Sequence, residues 1–327
     1  MTDKEQIMEQ IMEKIKEFNK DLANVDTDQN NMLKIIHFTC KDKNNIDNNI
    51  WKRCLHEYKT MYPDYKIIIY DNKDIYDIIE KFDNKRLEII KQINIGAILA
   101  DIFRYLILYL RGGYYSDLDC FPVKHIARIS DTQYHGDTKN QFYIYKPDVP
   151  LINNSWDFYE NPCNNCQINN KNIDKPIVCK CLGHQYITAD TNIIVCYEYE
   201  KTWHKTLLED QANKAKWVDN DIGVCQWFIG SKPQQYFFLY CYKQCIKNIA
   251  NIINLNKNMD DYHHEVINSS GPLFFTKMIN HFFKKNPIIK KEICILPSDY
   301  FCCGSHCLTP HTKNTFIKHM YTGTWLK

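Results

Sequence analysis

Asp117 and Asp119 stand one residue apart in the run Gly112-Gly-Tyr-Tyr-Ser-Asp-Leu-Asp-Cys120. On a strand, whose side chains alternate between faces, both carboxylates would point to the same side. Two such anions repel unless a cation lies between them, and oxygen ligands favour a hard divalent ion, manganese or magnesium, over zinc. An ion held there suits a reaction whose leaving group gains negative charge. Just upstream, Asp101 and Arg104 are the only charged residues from Ile95 to Leu110. That stretch reads as a helix apolar on nearly every face, and therefore buried. Buried charge is costly unless it is paired or used. Three residues apart, Asp101 and Arg104 share a helical face, so they can pair with each other or line a polar cavity together.

The elements that must position these groups alternate. The patterning predicts strands over 32–38, 65–70 and 114–118, with helices over 47–61, 74–82 and about 87–111 between them. Such alternation implies an α/β fold, a mostly parallel sheet flanked by helices. Ligands of these sheets bind outside the carboxyl ends of strands, where His37-Phe38-Thr39 and the two aspartates both fall. No Gly-x-Gly-x-x-Gly is present, which leaves dinucleotide binding without support. Ahead of the domain, Ile7, Ile11, Ile15, Phe18 and Leu22 recur at helical steps over 4–22, and a polar break follows at 24–31. We divide the chain into an N-terminal amphipathic helix and linker, 1–31, and a domain, 32–327. The helix is expected to pack on the domain or to pair with another copy as a homo-oligomer.

Within the domain, 131–185 is a Cys-containing insertion with Cys163-x-x-Cys166 and Cys179-x-Cys181. Four soft ligands in two close pairs can hold a structural zinc, or they are free thiols; the spacing leaves both open. Cys302, Cys303, His306, Cys307 and His311 read as a loop before the last strand. A chain of 327 residues that is 44% hydrophobic can build a sizeable core. Its net charge of +2 is spread without basic blocks, which argues against nucleic acid as a partner. No apolar run reaches the roughly 18–20 residues that span a bilayer, and the sequence opening Met-Thr-Asp-Lys-Glu lacks secretory order. The fifteen cysteines are then expected to be reduced, in a cytoplasmic protein. The Asn, Ile, Lys and Tyr bias suggests an AT-rich genome such as that of a large virus, which would place the protein in a host cytoplasm or a virion.

Taken together, the buried Asp-x-x-Arg, the Gly-Gly stop and the Asp-x-Asp resemble glycosyltransferases containing the DXD sugar-binding region, the family 32-like mannosyltransferases and, more distantly, the glucosyltransferase domains of clostridial toxins. Leu33–Thr39 is similar to that family's opening strand, with Cys40 where it has Trp; Ser270-Gly271-Pro272 is similar to its Thr-Gly-Pro. The closing His319-Met-Tyr-Thr-Gly-Thr324-Trp325 is similar to its terminal motif, with Met320 in place of a second His.

The resemblance implies a GT-A-like nucleotide-diphospho-sugar transferase fold and a manganese- or magnesium-dependent, retaining transfer of a hexose to a glycan or protein hydroxyl. It implies Asp101, Arg104, Asp117 and Asp119 as catalytic residues and Asp117, Asp119 and His319 as metal ligands. It further implies donor contacts from His37, Phe38, Thr39, Ala97, Tyr105, Gly113, Asn192, Thr324 and Trp325. Two other readings are a nucleotide-sugar-binding protein without turnover and a toxin-like transferase acting on a host protein. A metal phosphatase reading of Asp-Leu-Asp-Cys-Phe fails, because Phe121 stands where the nucleophile motif needs Thr.

Overall fold

The computed structural model describes residues 3–129, 187–200, 222–254, 262–285, 292–296, 299–303 and 314–322. Its helices are α1 (Asp3–Phe18), α2 (Asn49–Met61), α3 (Asn72–Lys91), α4 (Gly96–Arg111), α5 (Tyr236–Asn254), α6 (Tyr262–Ser269) and α7 (Pro272–Lys285). The strands are β1 (Ile35–Thr39), β2 (Lys66–Tyr70), β3 (Gly113–Ser116), β4 (Cys120–Pro122), β5 (Ile193–Glu200), β6 (Ile222–Val224), β7 (Phe228–Ser231), β8 (Ile293–Leu296), β9 (Phe301–Cys303) and β10 (Ile317–His319).

The main sheet has the order β2-β1-β3-β7-β5-β6, with β8 also paired to β5. β1, β2, β3, β5 and β8 share one direction, and only β6 and β7 oppose them. The fold is α/β with a mostly parallel sheet flanked by helices, as the alternation of elements predicts. A second sheet, β4-β10-β9, ties the segment after β3 to the C-terminal segment, because β10 runs antiparallel to β4.

Side-chain alternation divides the core between the two faces of the main sheet. Ile36, Phe38, Tyr114, Ile194, Cys196 and Phe228 face α2 and the small sheet, packing with Tyr58, Phe301 and Ile317. Tyr115, Ile193, Val195 and Ile229 face α3, α4, α5 and α7. Cys40, Cys54, Cys120, Cys196, Cys225, Cys241, Cys245 and Cys294 are free and buried, so they serve as small apolar core residues.

α2 starts at Asn48, whose side chain accepts from the N–H groups of Ile50 and Trp51. α3 starts in a capping box of Asp71 and Asp74. The sequence boundaries differ here: the helix expected from about 87 is two elements. α3 runs to Lys91 with a non-helical Asp83 inside it, and α4 begins only at Gly96. Asp83 pairs locally with Arg86 at 2.6 Å, so its carboxylate is satisfied at the break.

α1 ends at Phe18, earlier than the expected Leu22, and a 3-10 turn covers Lys20–Leu22. It docks through buried Ile15 and through Phe18, which meets Phe82 edge-on at 5.1 Å and lies under the Arg111 guanidinium at 4.1 Å. Arg111 also pairs with Asp21 at 3.1 Å. Ile11 and Met12 stay exposed. Among the described residues no helix is long and apolar enough to cross a membrane.

The turn that aims the aspartates depends on two glycines. Gly112 and Gly113 have φ of +66° and +81°, and a Cβ on Gly113 would lie 2.8 Å from the Ile35 carbonyl oxygen. Gly113→Ala should therefore lose at least about 1–2 kcal/mol from backbone conformation alone, with the clash added. Urea unfolding measures it, and a variant as stable as the wild type would show that α4 and β3 can be joined without that conformation.

Candidate active site

α4 runs back along the sheet into β3, so Ala97, Asp101 and Arg104 come to the end where β3 stops and Asp117 follows. That end also holds Thr39 of β1, as carboxyl-end binding requires. Asp117 and Asp119 do not lie on a strand, contrary to the 114–118 assignment. β3 ends at Ser116, and the Cys120 N–H donates to the Asp117 carbonyl at 3.0 Å, closing a turn that sends the two carboxylates to different partners.

Asp117 joins the buried helix. One Arg104 nitrogen, Nη2, reaches Asp101 Oδ1 at 3.0 Å and Asp117 Oδ1 at 3.1 Å, while Nη1 donates to the Gln226 carbonyl at 2.7 Å. Gln226 Nε2 donates to Asp101 Oδ1 and Ser270 Oγ to Asp101 Oδ2, both at 2.7 Å. Tyr105 OH reaches Gln226 Oε1 and the Ser270 carbonyl, each at 2.9 Å. Tyr115 OH donates to Asp117 Oδ1 at 3.0 Å, meets Thr39 Oγ1 at 2.9 Å, and its ring lies 4.7 Å from the Arg104 guanidinium carbon. Both Asp101 oxygens are thus occupied, and it and Arg104 are 4% exposed against 29% for Asp117. Asp117 is the solvent-facing member of these three charged groups.

Burial pushes the Asp101 carboxyl up to about 6, with Arg104 and Ser270 opposing the rise. Asp117 is likewise raised by burial, against Arg104. Arg104 behaves oppositely: burial disfavours its charge, but Asp117, Tyr115 and Asp101 more than compensate and hold its pKa above the usual value.

Asp119 belongs to the C-terminal segment. Its Oδ1 is 3.1 Å from His319 Nε2, and Oδ2 accepts from both the N–H and Oγ1 of Thr322 at 2.9 Å. Its carbonyl accepts from the Met320 N–H at 2.8 Å. Burial works against the charge of Asp119, but His319 and Thr322 outweigh it and hold the carboxyl well below the usual range. His319 stacks on Trp227 at 4.7 Å with planes 7° apart.

The donor set fits a divalent cation. Ligand atoms of Asp119, His319 and Cys120 lie within 4.8 Å of one another, and His319 Nδ1 is buried with no partner. Burial raises the Cys120 thiol well above its usual value, so the charged donor is Asp119. The expected ligand set of Asp117, Asp119 and His319 is brought together only in part, because Asp117 gives Oδ1 to Arg104 and Tyr115.

Several expected donor contacts lie elsewhere. His37 is fully buried, with Nε2 2.9 Å from the Gly112 carbonyl and Nδ1 3.2 Å from Tyr70 OH, and burial lowers its pKa to about 3. Phe38 packs edge-on against Tyr58 at 5.0 Å on the opposite face of β1. Tyr105 is fully buried, with its hydroxyl spent inside the network. Gly113 pairs with Ser231, and Ser231 with Ile193 next to Asn192, so Gly113 and Asn192 lie at the far end of the sheet from Asp117. Burial in the core removes His37, Phe38 and Tyr105 from the Asp117 turn, and strand register removes Gly113 and Asn192. Thr39 and Ala97 are half-buried at the same end of the sheet as Asp117. Thr324, Trp325 and the four cysteines 163, 166, 179 and 181 lie outside the described residues.

Gln226, Tyr115, Thr322, Trp227 and Glu198 were not foreseen, and no spacing marks them. Ser270 stands out in the sequence only as part of Ser-Gly-Pro, which carries no sign of its tie to Asp101.

Residues 48–136 match the glycosyltransferase sugar-binding region containing the DXD motif. The matched stretch takes in α2 through β4 and so contains Asp101, Arg104, Asp117 and Asp119, but not His319 or Thr322. No curated protein matches the chain. Among solved structures, the PaToxG glycosyltransferase is 16% identical, with a TM-score of 0.40 over 85% of this chain and 79% of that one. The ligand-free glycosyltransferase domain of the YGT toxin is 12% identical, with a TM-score of 0.35 over 77% of this chain and 68% of that one. The UDP-bound form gives 15% identity and 0.25 over 69% and 42%.

Proposed function

We propose that the protein is a metal-dependent glycosyltransferase that moves a hexose from a nucleotide-diphosphate sugar to a hydroxyl of a glycan or protein, with retention at the anomeric carbon. On this reading residues 32–327 are one GT-A-like transferase domain, with α1 packed on it. The observation that carries the reading is the meeting of two side-chain sets at one turn inside the matched region. Asp117 arrives from the Arg104–Asp101–Gln226 network, and Asp119 from His319 and Thr322.

Asp119 and His319 would hold manganese or magnesium, with Asp117 reaching it through water. When bound, the ion supplies neutralisation of the charge that develops on the leaving diphosphate. The chain's own residues do the rest. Arg104 holds Asp117 at the crevice and keeps a fixed positive charge beneath the donor sugar. Asp101, with both oxygens taken, acts as a positioning residue that orients Arg104 and Gln226. Thr322 closes the C-terminal segment over the turn, where it would keep water from the reacting carbon.

A thermal-shift panel of nucleotide-diphosphate sugars, with and without manganese, tests the reading. A donor present at one hundred times its Kd adds about 2.7 kcal/mol of stability, so one nucleotide class should raise Tm by several degrees, and only with metal. No shift with any nucleotide sugar in manganese would overturn it.

A further inference from the structure

Among the described residues, the carboxylates at the turn are already engaged. Asp101 is saturated, Asp117 is tied to Arg104, and Asp119 is tied to His319 and Thr322. Glu198 is placed differently. It lies near the carboxyl end of β5, which runs in the direction of β1 and β3, and so at the same end of the sheet as Asp117. The pairing of β5 with β6 shifts register between Tyr197 and Tyr199, so strand alternation does not fix the direction of the Glu198 side chain; its contact with Tyr321, beside His319, does. Its Oε1 accepts from Tyr321 OH at 3.2 Å. Tyr321 in turn lies 4.1 Å from the His319 ring and 5.8 Å from Trp227.

Among the described residues no cation pairs with Glu198, and Tyr321 OH is the one donor to a carboxylate that can accept about four hydrogen bonds. Burial pushes its carboxyl up to about 7, with Tyr321 and His319, the titratable groups facing it, opposing the rise. Tyr321 itself is held at φ +47°, a conformation uncommon outside glycine, by a segment fixed on Asp119 through Met320 and Thr322. Two buried polar atoms beside it, Trp227 Nε1 and His319 Nδ1, have no partner. A half-buried carboxylate with no cation paired to it among the described residues, near unused hydrogen-bonding groups, is placed for chemistry rather than for stability.

We propose that Glu198 is the general base that receives the proton of the acceptor hydroxyl. This rests on the transferase reading, and it adds the acceptor side of the site. The acceptor oxygen forms its bond to the anomeric carbon, and the bond from that carbon to the diphosphate oxygen breaks with its electron pair leaving on the diphosphate. The hydroxyl proton passes to Glu198. An acceptor that replaces the diphosphate from the same face approaches from the Asp119–His319 side, where Glu198 lies. The group recognised is an uncharged hydroxyl, and water takes its place when no other acceptor is present.

Water therefore serves as the probe, and the acceptor need not be known. Hydrolysis of a panel of nucleotide-diphosphate sugars is measured in manganese for the wild type and for Glu198→Gln, with manganese binding followed separately by electron paramagnetic resonance. The variant should lower kcat on the order of 10²-fold, with donor KM and manganese affinity unchanged. Glu198→Asp, which keeps the charge but retracts it, should recover part of the loss. A variant within twofold of the wild type overturns the assignment, as does a loss carried by donor KM or by metal binding. If Glu198→Gln does not fold, Tyr321→Phe carries the same test, because it leaves the carboxylate and removes its anchor. Its expected result is a several-fold fall in kcat alone, and an unchanged kcat overturns the proposal. A wild type that hydrolyses none of the donors overturns the transferase reading and this inference with it.

Discussion

Asp119→Ala should abolish manganese-dependent transfer and donor hydrolysis while the domain stays folded. Losing the one ionised ligand of the proposed cation site removes several kcal/mol of charge stabilisation from the leaving diphosphate. That corresponds to about 10³-fold or more in rate. The same carboxylate also anchors the C-terminal segment, through Thr322 at 2.9 Å twice and through His319. The variant should accordingly lose a little stability as well, about 1–2 kcal/mol for the hydrogen bonds. Chelation of the wild type should reproduce the activity loss while the hydrogen bonds of Asp119 to Thr322 stay in place. Full activity in excess chelator would remove the metal from the mechanism.

The second large effect is expected at Arg104. Its guanidinium reaches the Gln226 carbonyl, Asp101 and Asp117 at 2.7, 3.0 and 3.1 Å, from a position with 4% exposure. A lysine keeps the charge but cannot span three acceptors with one ammonium. Arg104→Lys should be nearly inactive, about 10²-fold down or more, since Asp117 loses the partner that orients it. Stability should fall by about 1–3 kcal/mol, because buried acceptors are left unsatisfied. Kinetics and denaturant unfolding of the same preparation separate two roles. Retained activity with lost stability would make the Asp101–Arg104 pair structural.

Much of the fold could be read from local pattern. The apolar stretch through Leu110 becomes a helix buried on nearly every face, the glycine pair marks its end, and alternating elements produce a mostly parallel sheet. The chemistry-bearing pair at positions 117 and 119 was visible as well, because clustered carboxylates after a glycine stop are a short-range signal. Sequence alone thus determined the class of fold and singled out the two aspartates on which the proposed site rests.

Tertiary structure decided which groups meet there. Strand period two was a poor guide to Asp117 and Asp119, since the chain turns at Asp117 and a turn has no two-faced alternation. His37, Phe38 and Tyr105 carry suitable chemistry, but each side chain is consumed inside the core. Gly113 and Asn192 are placed by strand register at the wrong end of the sheet. Conversely, Gln226 reaches Asp101 from 125 residues away and Thr322 reaches Asp119 from 203. Glu198 meets Tyr321 across 123. Such contacts come from the pairing of β3 with β7, β7 with β5, and β4 with β10. Hydrogen-bond partners so far apart in the chain leave no periodicity behind, so only the packed sheets bring them to one place.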